Sequence, residues 1–600
     1  MYYNLDIAYK YNGAFAPFFL EIKDLIFYNY RGMKRGINMA NFNELANLIF
    51  PDIKLTIADL EMKYPNRNLD KDAMVTRFAP SPTGFLHTGS LFTSLISQRY
   101  AKQSNGVFYI RLEDTDTKRE IEGSGESLIK QLAVFDVIPD EGYLSDTNET
   151  GNYGPYKQSE RSEIYNTVIK HLLEIGRAYP CFASQEELAE LRKKQEALKE
   201  IPGYYGKYAI YRDLPIDEAI ARIKNGDPYI IRFKSMGDHN NKVSFHDEIR
   251  GDLELTQNDQ DIVILKSDGL PTYHFAHLCD DHFMHTTVVT RGEEWLPSLP
   301  IHLELFDTLG FERPKYAHFP VIMKVENGNR RKLSKRKDAE AACSYFLEKG
   351  YPKYGFIEYL LTIANSNYEA WRNENLDKSP YDFKLSFDKM SLDGALFDLE
   401  KVESISKERM AYRKASDLAL EVENWAKEYN TEFYNKIVSN RDFFIQILNI
   451  EREKENPRKD YAKYSDIYPI ISFFYDDVYA AIDKNTLDWT IMKSKGELRE
   501  ADTKVVKELL TEYINTYNVE VDEETWFNNL KDLAAKYNFT SDRKEYKANP
   551  MAFNGQVGDV AGFIRLCLAG RKNSPNIYYV QKILGKDKAI ERINSIIEKF

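Results

Sequence analysis

Apolar residues change their rhythm several times along this chain. VTRFA at 75 to 79 is a short β-branched and aromatic run, PSPTG after it is turn chemistry, and Leu91, Phe92, Leu95 and Ile96 then recur at helical spacing. Gly106 breaks that helix before a second apolar run, VFYIRL. The order strand, turn, helix, strand predicts the opening of a parallel α/β sheet. From about Phe182 to Lys266 the pattern is irregular and rich in Tyr and Gly, as in PGYYGKYAIYRD, which predicts an insertion. Strand-like runs return in DIVILKSDG and TTVVTRGEEW, each ending in turn or polar residues. Past about residue 400 the texture becomes long amphipathic stretches, VVKELLTEYINTY, WFNNLKDLAAKY and KAIERINSIIEKF, so the last third is expected to be helical.

The 600 residues exceed what one hydrophobic core serves and imply several domains. A net charge of −12 argues against clamping a nucleic acid by bulk charge. Any such contact must come from local basic surface, and residues 541–600 hold 11 Lys and Arg against 6 Asp and Glu. Cys181, Cys279, Cys343 and Cys567 lie far apart with no CxxC spacing, so neither a disulfide framework nor a cysteine zinc site is readable, and a reducing cytoplasm fits. No apolar run approaches the ~20 residues that span a bilayer, and the start of the chain gives secretion no support.

Two segments carry chemistry. RFAPSPTGFLHTGS, Arg77 to Ser90, stands where a strand hands over to a helix. There the helix's unpaired N–H groups and positive dipole end favour a phosphate, and a histidine can donate to its oxygens. Alone, this segment equally fits a capped loop rich in Pro and Gly. RKLSKRKD, Arg331 to Asp338, alone fits a solvated basic loop. Together, in the forms HTGS and KLSKR, they resemble the HIGH and KMSKS pair of class I aminoacyl-tRNA synthetases. With RLEDTD at 111–116, GPYKQSER at 154–161, SDGLPTYHFAHLCDDHFM and TRGEEWLPSLPIHL in the same order, the chain resembles bacterial-type glutamyl-tRNA synthetase over about residues 74–405. VGDVAGFIRLCLAGRKNSPNIYYVQKILG is more faintly similar to that family's C-terminal anticodon-binding domain.

The resemblance implies an α/β fold: a class I Rossmann-like catalytic domain with an inserted acceptor-binding domain and an all-helical C-terminal anticodon-binding region. Its expected divisions are an N-terminal extension and leading helix (1–73), the first catalytic half (74–181), the insertion (182–266), the second half (267–325), the KLSKR loop with a stem-contact region (326–410) and the anticodon-binding domain (411–600). It implies glutamate held by Arg77, Ala79, Ser81, Glu113, Tyr273, His277 and Arg291, and ATP held by His87, Gly89, Glu294, Trp295, Lys332 and Lys335. His87, Lys332 and Lys335 are the expected catalytic groups. Arginine forks suit a substrate with two carboxylates, and Glu113 suits its ammonium. ATP with Mg²⁺, L-glutamate and tRNA(Glu) are the implied partners of a monomer, with charging of tRNA(Gln) left open.

Three departures qualify the resemblance. Ser90 replaces the second histidine of HIGH, and His277 stands where an Asn is common. The family's zinc-binding CxC reads Cys181, Phe182, Ala183, so no structural zinc is expected. A metal cluster of His274, His277, Cys279, His282 and His285 is a weaker reading than ordinary packing. Among other functions, a glutaminyl-tRNA synthetase would resemble PEPNG where this chain has SPTG. Intact His87, Lys332 and Lys335 argue against a non-catalytic paralogue, and a small adenylyltransferase leaves the helical end unexplained. Residues 1–38 resemble nothing in the family, whereas MANFNELANLIFPDI from Met39 reads like its first helix. Lys34, Arg35 and Gly36 can be encoded by a purine-rich stretch resembling a ribosome-binding site, so Met39 is the expected natural initiator.

Overall fold

The computed structural model describes residues 39–600 apart from residues 83, 117–120, 335, 393 and 495–496. The expectations about residues 1–38 and Lys335 therefore fall outside it. The elements that build the site are α1 (Met39–Ile49), β1 (Val75–Phe78), α2 (Thr88–Gln103), β2 (Val107–Ile110), β3 (Glu141–Ser145), α3 (Ser162–Glu174), β4 (Lys242–Asp247), α4 (Tyr273–Phe283), β5 (Val288–Gly292), α5 (Leu299–Leu309) and β6 (Lys315–Phe319). β1, β2 and β3 are parallel neighbours, with Val75 opposite Val107, and the short strand Asn148–Thr150 closes that edge antiparallel. β5, β6 and β4 form a second parallel set, with Arg291 opposite His318. The two sets abut where Thr287 donates its N–H to the Val75 carbonyl at 3.0 Å. Gly106 is required at the turn into β2, because a Cβ there would lie 1.9 Å from the Met74 carbonyl oxygen.

Alternation along the strands sorts side chains to two cores. Phe108 and Ile110 pack with Leu91, Leu95 and Ile96 of α2 and with Phe356 and Leu360 of the helix Lys353–Ala364. Tyr109 points the other way, into a core with Val168 and Leu172 of α3, Phe275 and Leu278 of α4, and Leu45 of α1. Helices thus cover both faces, and each fully buried apolar side chain contributes about 1.5–3 kcal/mol.

Residues 182–266, expected as one insertion, divide between two places. The helices Gln185–Ala197 and Ile216–Lys224 accompany an antiparallel sheet of Ala178–Cys181, Ile230–Phe233 and Val263–Leu265. The hairpin of β4 with Gly251–Thr256 instead joins the catalytic sheet beside β6. The C-terminal region is helical as expected, but not purely so. Thr490–Ser494 pairs with Glu497–Glu500, and Phe539–Thr540 with Gly555–Gln556. The first pair is too exposed to leave a period-2 signal, Ile491 being its buried residue, and the second, two residues to a strand, is too short.

Candidate active site

The carboxyl ends of β1 and β5 and the N-terminus of α2 open into one cleft of about 1080 Å³. A crevice at a switch point between strand sets is where open α/β sheets bind ligands. Arg77, Ala79, Ser81, His87, Gly89, Glu113, Tyr273, Arg291, Glu294, Trp295 and Lys332 all line it. Tyr273 lies against Trp295, ring centroids 4.3 Å apart. His277 is different. It is fully buried beneath the wall, stacked on Tyr273 at 5.7 Å, with Nδ1 2.9 Å from the Asp281 carboxylate and 3.3 Å from Arg77 Nη2. It acts on the cleft through those neighbours and does not line it.

Behind the cleft floor lies a buried lattice of charge. Arg77 Nε donates to Asp281 at 3.2 Å, Arg111 donates to Asp281 at 2.8 Å and to Glu113 at 3.0 Å, and Arg161 donates to Asp280 at 2.6 Å. Three guanidinium groups thus balance three carboxylates. Burial works against the charge on Asp281, but Arg77, His277 and Arg111 outweigh it and hold its carboxyl well below the usual range. Burial pushes the Glu113 carboxyl upward, with Arg111 and Arg77 opposing. Glu113 lines the cleft, with Oε1 taken by Arg111.

Arg291 stands apart from this balance. Nε donates to His318 Nε2 at 2.9 Å and Nη1 to His302 Nδ1 at 3.3 Å, while Nη2 is buried with no hydrogen-bond partner among the described residues. No carboxylate pairs with it among those residues.

At the opposite wall His87 caps α2, accepting the Gly89 N–H at Nδ1 over 2.9 Å, which leaves the proton of a neutral ring on Nε2. A side chain at Gly89 would crowd that imidazole, its Cβ lying 3.2 Å from Nδ1. Lys332, at the end of strand Asn329–Lys332, reaches Glu294 at 3.3 Å across the mouth. Both are exposed, so the pair is weak and either partner is easily surrendered. Asp338 organises the basic loop: Arg331 donates to both its oxygens, at 2.6 and 2.7 Å, and Ser334 N–H to Oδ2 at 2.9 Å. Thr88 Oγ1 donates to the Glu340 carbonyl at 2.9 Å, and His87 and Ala342 form a β-bridge, so the two motifs are tied together.

Comparison with known proteins agrees with this layout. Residues 73–380 match the catalytic domain of class I tRNA synthetases (E and Q), and residues 457–597 match an anticodon binding domain. A glutamate–tRNA ligase of Clostridium perfringens is 48% identical over 92% of this chain and 100% of its own length. The chain belongs to the glutamate–tRNA ligase family. A glutamate–tRNA ligase of Acetivibrio thermocellus is 45% identical, covering 93% of this chain and all of its own. In three dimensions, the crystal structure of a glutamate tRNA ligase from Elizabethkingia meningosepticum in complex with its amino acid matches with a TM-score of 0.69, at 29% identity over 88% of this chain and 99% of that one.

For a glutamate–tRNA ligase family member, several supporting residues were not singled out by sequence reasoning. Arg111, Asp280 and Asp281 stand inside motifs already recognised, RLEDTD and LCDD, and the charge of those motifs was the available signal. His302 and Asp338 also stand inside quoted motifs, TRGEEWLPSLPIHL and RKLSKRKD, without being singled out, whereas His318 lies in none and gave no signal. The histidines in and just after α4 do not converge: His282 stacks on Phe311 at 3.5 Å and meets Glu61, His285 meets the Tyr64 carbonyl, and Cys279 is buried in the apolar core with Phe275 and Leu278. Among the described residues no group of His, Cys, Asp and Glu could hold a metal ion.

Proposed function

We propose that this chain activates L-glutamate with ATP to glutamyl-adenylate and transfers it to the 3′ end of tRNA(Glu). The observation that carries the reading is Nη2 of Arg291, a buried donor on a cation with no anion of its own, at the wall of the cleft. A substrate carboxylate supplies both the hydrogen bond and the charge. Glutamine would leave the arginine without an anion, which is how a polar site rejects the wrong substrate strongly. Glu113 takes the substrate ammonium, Arg77, Ala79, Ser81 and Tyr273 shape the same pocket, and His277 steadies Tyr273 and Arg77 from behind.

His87, Gly89, Glu294 and Trp295 hold ATP, while Lys332 and, by resemblance, Lys335 meet the triphosphate. The substrate α-carboxylate attacks the α-phosphorus and pyrophosphate leaves. The terminal ribose hydroxyl of tRNA then attacks the adenylate carbonyl and AMP leaves. The protein supplies position and charge stabilisation in both steps, with Mg²⁺ accompanying the triphosphate. The reading takes the enzyme to be a cytoplasmic monomer, and no helix among the described residues is long and apolar enough to cross a membrane. The test is aminoacylation of purified tRNA(Glu) and tRNA(Gln) with glutamate and glutamine, with pyrophosphate exchange run with and without tRNA. Glutamate on tRNA(Glu), and exchange that rises with tRNA, are expected; charging with glutamine alone would overturn the reading.

A further inference from the structure

The Arg291 guanidinium is gripped from two sides by histidines, and hydrogen-bond logic fixes the protonation of both. Arginine can only donate. His318 Nε2, which accepts from Arg291 Nε at 2.9 Å, is therefore bare, and its Nδ1–H donates to Asp247 at 2.6 Å. His302 Nδ1, which accepts from Nη1 at 3.3 Å, is likewise bare, so its Nε2–H donates to His274 Nδ1 at 3.1 Å. Both imidazoles are neutral and both are fully buried. The fold supplies them from separate elements, since His318 is the cross-strand neighbour of Arg291 on β6 and His302 rides on α5. By contrast, the buried Arg77, Arg111 and Arg161 are each paired with carboxylates.

We propose that His302 and His318 are specificity-determining positioning residues: by holding Arg291 through neutral acceptors they leave its charge for the substrate's side-chain carboxylate, and so set the choice of glutamate over glutamine. This rests on the reading of Arg291 given above. A carboxylate at either position would fix the same guanidinium equally well while neutralising it, and the neutral amide of glutamine would then compete. Asp247 keeps His318 in the required tautomer from one bond further out, as carboxylates do for imidazoles elsewhere.

The experiment uses the full-length protein in tRNA-dependent pyrophosphate exchange, with glutamate and glutamine as alternative substrates and kcat separated from KM. His302→Glu and His318→Glu are expected to lower the glutamate-over-glutamine ratio of kcat/KM about tenfold or more, through the glutamate KM, with the ATP KM within a few-fold. His302→Gln, which keeps a neutral acceptor, is expected to hold the ratio within about threefold of wild type. Folded carboxylate variants with an unchanged ratio would overturn the proposal. Should neither carboxylate variant fold, ring ¹⁵N spectra of the native protein at neutral pH decide: bare Nδ1 on His302 and bare Nε2 on His318 support it, and an imidazolium at either refutes it. Arg291→Gln separates the two layers of argument. An unaltered glutamate KM in that variant defeats the site reading itself, whereas a raised KM with no response in the histidine variants defeats only this inference.

Discussion

His277 holds a neutral imidazole inside a layer of full charges, and that has a cost in acid. Burial pushes it down to about 3, and burial also lowers His302 and His318. In the unfolded chain each titrates near 6.5, so below that pH the unfolded state binds more protons and stability falls as pH falls, by about 1.4 kcal/mol per pH unit for each such proton. Above roughly pH 5 an ordinary carboxylate is ionised in both states and contributes little, and comparison with a His277 variant isolates that histidine. The melting temperature of wild type should therefore drop between pH 7.5 and 5.5, and His277→Asn should drop less; equal drops would contradict this account. Glu113→Gln is expected to raise the glutamate KM roughly ten- to hundredfold, because a hydrogen bond to a charged group is worth about 1.5–3 kcal/mol, with the ATP KM nearly unchanged. Parallel losses for both substrates would remove Glu113 from the glutamate pocket. Arg77, Glu113 and Arg291 were legible because they stand in dense motifs. The roles of His302, though it shares a motif with Arg291, and of His318, which lies outside every motif, were not legible, since a histidine acquires meaning only from what another strand or helix places against it.

Between the two motifs, Asp338 does the organising. It lies outside the cleft but gathers Arg331, Lys324 and the Ser334 N–H, and Arg331 above all holds its carboxyl well below the usual range. Asp338→Asn should slow single-turnover adenylate formation about tenfold or more while leaving the glutamate KM within a few-fold, since it loosens the loop that carries Lys332 and leaves the amino-acid pocket intact. An unchanged rate would show that the loop is ordered without it. The site-bearing elements were readable from rhythm: β1, β2 and β5 as short β-branched and aromatic segments, and α2 from Leu91, Phe92, Leu95 and Ile96 at helical spacing. The helix Gln185–Ala197 was not, because Gln195 is its one fully buried residue and the partly buried Leu188 and Leu191 leave only a weak apolar stripe. The hairpin of β4 was missed for a related reason: along β4 only Asp247 is fully buried, so a weak alternation concealed a strand of the catalytic sheet.

Seen as one molecule, the chain commits much of the basic surface expected near its end. Arg592 is buried against Phe473 and Leu568 carbonyls, Lys588 pairs with Asp476 and Lys572 with Asp488. The local excess of charge in residues 541–600 is thus partly structural, which sequence arithmetic could not reveal. Metal analysis of the whole protein should return less than stoichiometric zinc, and chelation should leave activity unchanged in excess Mg²⁺. Cys181 is already engaged, its thiol 3.3 Å from the Tyr204 hydroxyl, and Ala183 supplies no ligand beside it. One tightly held zinc per chain would overturn this. The seam between Val75 and Thr287 joins residues 212 positions apart. At about 5–20 residues per second, a ribosome takes roughly 10–40 s to make the second partner after the first. Throughout that interval β1 has emerged with one edge unclosed, a template for any passing strand. Arg77 and Arg291 come to line one cleft only when the wait ends, so the newborn chain passes those seconds half assembled, dependent on whatever shields that edge in the cell.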